Sequence, residues 1–228
     1  MAEKNLQNLN NISRTWYFFD SGSGGGEFNM LCDSFILDST INNLIKVPLL
    51  RVYGWTEQTL SLGANQKLQN YSGDYPVVKR ITGGQAVFHQ RSEDELTYSV
   101  FLKIGYKVKQ LYFEIGEILL SFLQMYDLTG SFGYSKDSYF KVFDCFDSKT
   151  EADIVVNDIK VIGSAQCRKK EYVLQHGSIK LDIIRRLSKK NIDFEDAKVN
   201  LKKVFQDKLK IEFIDYTLTD NIKLKVVS

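Results

Sequence analysis

The chain is short of histidine, cysteine and proline. It has two histidines, His89 and His176, and three cysteines at 32, 145 and 167, with no CxxC or HxxxH spacing. That combination argues against a metal site, and an odd, scattered set of cysteines argues against a disulfide framework. Only two prolines, at 48 and 76, punctuate 228 residues. No run approaches the eighteen apolar residues of a membrane span, and the Asn-rich stretch 1–11 lacks the apolar core of a signal peptide. Charge of one sign is also missing. Thirty Lys and Arg stand against 28 Asp and Glu, a net of +2, which is too small to point to nucleic acid or a membrane surface. A cytoplasmic protein is expected, with a flexible segment over 1–11 and one domain over 12–228.

What is present is ample apolar and aromatic material, 43% and 13% of the chain. Ser13–Asp20 reads as a strand, followed by a flexible glycine-serine turn at 21–26. That turn lacks the ending of a phosphate loop. Phe28 to Leu44 has a helical pattern. Short strands are expected at 49–53, 59–62, 77–81, 85–89 and 96–102. Val108–Tyr126 carries the apolar stripe of a helix packed on a sheet. A hairpin joins 154–156 to 159–165 through Asn157-Asp158, and strands follow at 172–174 and 178–184. Asp193 caps a last helix running to about Leu209. The expected fold is α+β, with mixed, mainly antiparallel sheets flanked by helices.

Three segments place glycine and polar residues inside apolar strand patterns. In the first, 79–89, the Thr82-Gly83-Gly84 turn would let a ligand approach without a Cβ in the way. A plain β-turn is the ordinary explanation of this motif taken alone. In the second, Cys145 lies between Asp144 and Phe146-Asp147, where a cysteine can simply be a small buried hydrophobe. In the third, alternation along 160–166 puts Lys160, Ile162 and Ser164 on one face and Val161, Gly163 and Ala165 on the other. An exposed strand lysine is the ordinary explanation there. Even so, Gly163-Ser164-Ala165 would leave room for a ligand chain.

Taken in order, these segments resemble the lipoate–protein ligase and octanoyltransferase family, which shares a fold with biotin protein ligases. The resemblance is greatest to the octanoyltransferases whose nucleophile sits in a Cys-Phe-Asp segment. Arg80–His89, with Gly83, Gly84, Gln85 and Ala86, is similar to the family's arginine and double-glycine signature. Gln85 stands where a third glycine or an arginine is usual. Glu95–Ser99, Asn29 with Asp33, and Ser61-Leu62-Gly63 with Gln66 resemble neighbouring family elements. So do Lys160 with Gly163–Gln166, and Gln175-His176-Gly177-Ser178.

The resemblance implies transfer of an octanoyl group from acyl carrier protein to a lysine of a lipoyl-accepting protein, such as a glycine cleavage H protein or a dehydrogenase lipoyl domain. No cofactor is implied. Cys145 would be the nucleophile and Lys160 the cation that stabilises its thiolate, because a free thiol is only slightly ionised at neutral pH. Arg80, Gly83, Gly84, Gln85, Ala86, His89, Gly163, Ser164, Ala165, His176 and Gly177 would shape the substrate site. Backbone N–H groups near Gly83-Gly84 or Gly163-Ser164 are candidate oxyanion donors. The two histidines could accept a proton or simply wall the pocket, and Cys32 and Cys167 read as structural. Three rivals stand beside this reading: an ATP-dependent lipoate–protein ligase without a cysteine, an amidotransferase between lipoyl-accepting proteins, and an inert binding module.

Overall fold

The computed structural model describes residues 9, 12–67, 73–103, 108–133 and 152–218. In chain order the elements are β1 (Thr15–Gly24), α1 (Gly26–Ile41), β2 (Leu49–Trp55), β3 (Thr59–Leu62), β4 (Val77–Lys79), β5 (Val87–His89) and β6 (Glu95–Lys103). They continue with α2 (Val108–Gln124), β7 (Ser131–Phe132), β8 (Ile154–Val156), β9 (Ile159–Lys169), β10 (Tyr172–Lys180), α3 (Leu181–Ser188), α4 (Phe194–Leu209) and β11 (Glu212–Asp215). An eight-stranded sheet runs β11-β1-β2-β6-β10-β9-β8-β7, and a small sheet runs β4-β3-β5. In the large sheet β1 pairs in parallel with β2 and β11, and every other pairing is antiparallel. The expected mixed, mainly antiparallel α+β fold is what forms.

Strict period-two alternation in the central strands divides the molecule. Leu50, Val52, Leu96, Tyr98, Val100, Ile162 and Ile179 point to one side, where Leu111, Ile115, Ile118 and Phe122 of α2 and Leu201 and Phe205 of α4 complete the larger core. Leu49, Phe101 and Leu174 point to the other side and meet Cys32, Ile36 and Leu37 of α1. Burying side chains of this size contributes about 1.5–3 kcal/mol each. Asp193 caps α4 as expected, accepting the Asp196 N–H at 2.7 Å. Beyond the apolar cluster on the α1 side, the sheet face changes character. Arg51, Tyr53, Trp55, Glu95, Thr97, Ser99, His176, Ser178 and Lys180 are all buried there. The small sheet closes over this polar half.

Four local expectations need correction. The glycine-serine run is not a free turn, because β1 continues through it to Gly24, which pairs with Trp55 of β2. Gly24 packs so tightly that an added Cβ would lie 2.5 Å from the Phe28 ring. Residues 172–180 form one continuous strand rather than two pieces, and 181–184 begin α3 instead of ending a strand. The backbone N–H groups of Leu181 and Asp182 both donate to Asp94 O, which turns the chain out of the sheet. Leu9, inside the stretch expected to be flexible, is fully buried and donates its N–H to Glu114 at 3.0 Å. The rest of 1–11 lies outside the described residues.

Candidate functional site

Asn29 and Asp33 are one turn apart on α1, so both side chains face the sheet. There they receive Arg51, a charged residue set in the fully buried strand β2. Arg51 Nη1 reaches Asp33 Oδ1 at 2.6 Å and Nη2 reaches Asn29 Oδ1 at 3.0 Å. Asp33 Oδ2 also accepts Ser99 Oγ at 2.8 Å and lies 3.1 Å from His176 Nδ1. Burial works against the Asp33 charge, but Arg51 and His176 outweigh it and hold the carboxyl below its ordinary value. The far nitrogen of the same ring, His176 Nε2, is 2.6 Å from Thr82 Oγ1. One histidine thereby ties the large sheet to the Thr82–Gly84 turn.

A parallel chain runs through the second histidine. Lys180 Nζ meets Glu95 Oε2 and His89 Nδ1 meets Glu95 Oε1, each at 2.5 Å. His89 Nε2 is 2.8 Å from Ser61 Oγ, and Trp55 stacks on the ring at 3.8 Å. Burial keeps His89 neutral by lowering its pKa to about 4, against the pull of Glu95. Burial would raise Glu95, yet Lys180 and His89 together bring it down to about 2. Neutral His89 donates from Nδ1 to Glu95, so Nε2 accepts the Ser61 hydroxyl proton. Ser61 Oγ in turn accepts Arg80 Nη1 at 3.2 Å. Arg80 laces the turn shut, with Nη2 donating to Gly83 O at 2.9 Å and Gln85 O at 2.5 Å. Gly84 sits at φ +93°, a conformation that favours glycine.

Between the turn and the large sheet is a cavity of about 900 Å³. That lies within the size range of small-molecule sites. Of the residues expected at the site, Arg80, Gly83, Gly84, His89, Gly163, Ser164, Ala165, His176 and Gly177 line it. Gln85 and Ala86 stand behind the wall. The Gln85 amide accepts Gln66 Nε2 at 3.0 Å, and Ala86 is fully buried against Leu60 and Leu62. Ser164 Oγ is 2.8 Å from Tyr98 OH, which also accepts Gln175 Nε2 at 3.2 Å. Gly177 cannot be larger, because a Cβ there would lie 2.7 Å from the Gly163 carbonyl.

Lys160 is buried rather than exposed, and its Nζ pairs with Asp153 Oδ2 at 3.0 Å. Alternation does not carry through this part of β9. Val155 pairs with Lys160 and Ile154 with Ile162, so Val161 is an extra residue in a bulge. Val161 and Ile162 both join the larger core. Lys160 is thereby turned away from Ile162's side toward Asp153, which lines the cavity. Cys145 lies outside the described residues. Cys32 is sealed, with burial pushing its thiol up to about 11, and burial likewise raises half-buried Cys167. Neither lines the cavity.

Sequence reasoning passed over Arg51, Tyr98, Asp153 and Lys180 as site residues. The available signal was a charge within or beside a strongly apolar run, as in Leu-Leu-Arg-Val-Tyr at 49–53. Among the described residues no group of three or more His, Cys, Asp or Glu side chains could hold a metal ion, and no helix is long and apolar enough to cross a membrane.

The model of the lipoyl protein ligase A/B catalytic domain matches residues 26–213. The chain is 39% identical to octanoyltransferase LipM of Carboxydothermus hydrogenoformans, over 74% of this chain and 66% of that protein. It is 32% identical to octanoyltransferase LipM of Halalkalibacterium halodurans, over 90% of this chain and 91% of that one. In fold it is similar to a T. acidophilum protein described as a lipoate protein ligase and solved with lipoic acid. There the TM-score is 0.73 at 18% identity, covering 93% of each chain.

Proposed function

The chain belongs to the lipoyl protein ligase A/B catalytic-domain family and is an acyltransferase, and we propose that it carries octanoate from acyl carrier protein to a lysine of a lipoyl-accepting protein through a thioester on Cys145. Acceptors of the glycine cleavage H protein or dehydrogenase lipoyl-domain type fit this reading. The observation that supports it best is an elimination. The sequence has three cysteines, and the two described ones are unsuited to attack an acyl donor. Cys32 has no access to solvent and its thiolate is suppressed by burial, and Cys167 stands outside the cavity with a raised pKa. A cysteine-based transfer in this chain falls to Cys145.

In the first step the Cys145 thiolate attacks the carbonyl carbon of the octanoyl thioester. A new C–S bond forms, the donor C–S bond breaks, and the carrier leaves as a thiolate. In the second step the neutral amine of the acceptor lysine attacks the acyl-enzyme. The C–N bond forms, a proton leaves the nitrogen, and Cys145 departs as thiolate. Exchange between two thioesters is nearly balanced and amide formation drives the sequence forward, so no nucleotide is consumed. Lys160 stabilises the thiolate. An ammonium already fixed by Asp153 can do so with little side-chain ordering when the donor arrives. The apolar cavity walls hold the alkyl chain and exclude water, which would hydrolyse the acyl-enzyme.

Incubation with octanoyl-acyl carrier protein, without ATP, tests the reading by intact mass. The wild-type chain is expected to gain one octanoyl group and pass it to a lipoyl domain, and Cys145→Ala to do neither. An adduct that persists in Cys145→Ala would end the Cys145 assignment. A requirement for ATP would turn the reading toward a ligase.

A further inference from the structure

Five residues form one row across the cavity face of the large sheet. Tyr53 pairs with Thr97, Thr97 with Ser178, and Ser178 with Gly163. Asp153 directly precedes Ile154, which pairs with Ile162, so the antiparallel register sets Asp153 level with Gly163. Their neighbours Val52, Leu96, Ile179, Ile162 and Ile154 all lie in the larger core. Alternation therefore turns the row the other way, and all five residues line the cavity.

Within the row, Gly163 contributes no side chain. A ligand chain can cross the sheet at that gap, with Ser178 on one side and the Asp153–Lys160 pair on the other. The Ser178 and Asp153 backbones are each about 5 Å away, one strand spacing, and Asp153 holds the Lys160 ammonium at 3.0 Å. The other polar members of the row have partners inside the protein. Tyr53 OH donates to Asp33 at 3.2 Å, Thr97 Oγ1 accepts Trp55 Nε1 at 2.9 Å, and Asp153 holds Lys160. Ser178 differs. It is only 4% exposed, and its hydroxyl has no hydrogen-bond partner among the described residues. A buried hydroxyl left unmade is costly, and such groups are rare in folded proteins.

We infer that Ser178 is a substrate-binding residue whose hydroxyl donates to the carbonyl oxygen of the bound octanoyl thioester. The carbonyl oxygen is the acyl group's only good acceptor, and attack by a thiolate beside Lys160 requires that carbonyl near the Gly163 gap. A bond to this oxygen also strengthens as it gains charge in the tetrahedral intermediate. The inference rests on the octanoyl-transfer reading and adds to it the residue that fixes the reacting group.

The test uses the full chain in a Cys145→Ala background, so that ligands bind without reacting. The probes are S-octanoyl-N-acetylcysteamine and its thioether counterpart S-octyl-N-acetylcysteamine, which lacks only the carbonyl oxygen. Adding Ser178→Ala is expected to weaken the thioester about 10-fold by calorimetry. The thioether Kd should not change, and Tm should hold or rise because an unpaired hydroxyl has been removed. Equal weakening of both ligands, no weakening of either, or a clear fall in Tm would overturn the inference. If the Cys145→Ala parent binds neither ligand, the octanoyl-transfer reading fails and this inference fails with it. If the parent binds the thioester and Ser178→Ala matches it, only the inference fails.

Discussion

Replacing Glu95 by Gln removes one charge from a densely paired, buried cluster while nearly keeping its shape. Glu95 is fully buried, and it takes Lys180 Nζ and His89 Nδ1 at 2.5 Å each and the Gln90 N–H at 2.9 Å. The amide can still accept a hydrogen bond, but Lys180, 6% exposed, loses its carboxylate. Breaking one side of a buried ion pair costs about 3–5 kcal/mol. An independent route gives a similar size. Lowering a carboxyl from 4.5 to about 2 corresponds to about 3 kcal/mol of stability at neutral pH. In a chain of this length that loss lowers Tm by roughly 10 °C. Urea unfolding at pH 7 measures it directly, and the double variant Glu95→Gln with Lys180→Met supplies the internal control. Removing both charges is often nearly neutral, so the double variant should recover most of the loss. A loss under about 1 kcal/mol in Glu95→Gln, or a double variant no more stable than the single, would refute the account of the cluster.

The pH dependence of stability should follow His89. Its folded pKa, about 4, lies below the ordinary value of 6.5, so the unfolded chain binds the extra proton first as pH falls. Stability is then full above pH 6.5 and declines by about 3 kcal/mol on reaching pH 4. Urea midpoints that stay flat between pH 7 and 5 would contradict this. Gly63→Ala should be disruptive for a backbone reason, because the added Cβ would lie 2.1 Å from the Gly84 carbonyl. The Gly83-Gly84 turn must move, and octanoyl transfer is expected to fall more than about 10-fold. A Gly63→Ala variant with wild-type kcat/KM would show that the turn's position is unimportant.

Much of the fold was legible in local pattern. The stripe over 108–126, the Asp193 cap and the Asn157-Asp158 hairpin each rest on contacts within one element or between adjacent ones, and they form within a few residues of where the pattern places them. The misreadings came where distant residues decide the outcome. The glycine-serine run extends β1 because β2 lies beside it, and α3 starts at Leu181 because Asp94 O, far away in sequence, captures its first N–H groups.

The sequence alone, through its motifs, carried the family and the polar residues around the turn. It did not tell which way Lys160 points. Alternation assigns it to the side of Ile162, and the one-residue bulge at Val161 reverses that assignment and sets Lys160 on Asp153. It did not single out Arg51 or Lys180 either, since a charge in a strand is normally solvated. Whether such a charge is buried depends on a carboxylate supplied from another element. Asp33 on α1 meets Arg51, and Glu95 on β6 meets Lys180. Pairing of that kind is a property of packed distances, and only the tertiary structure sets them.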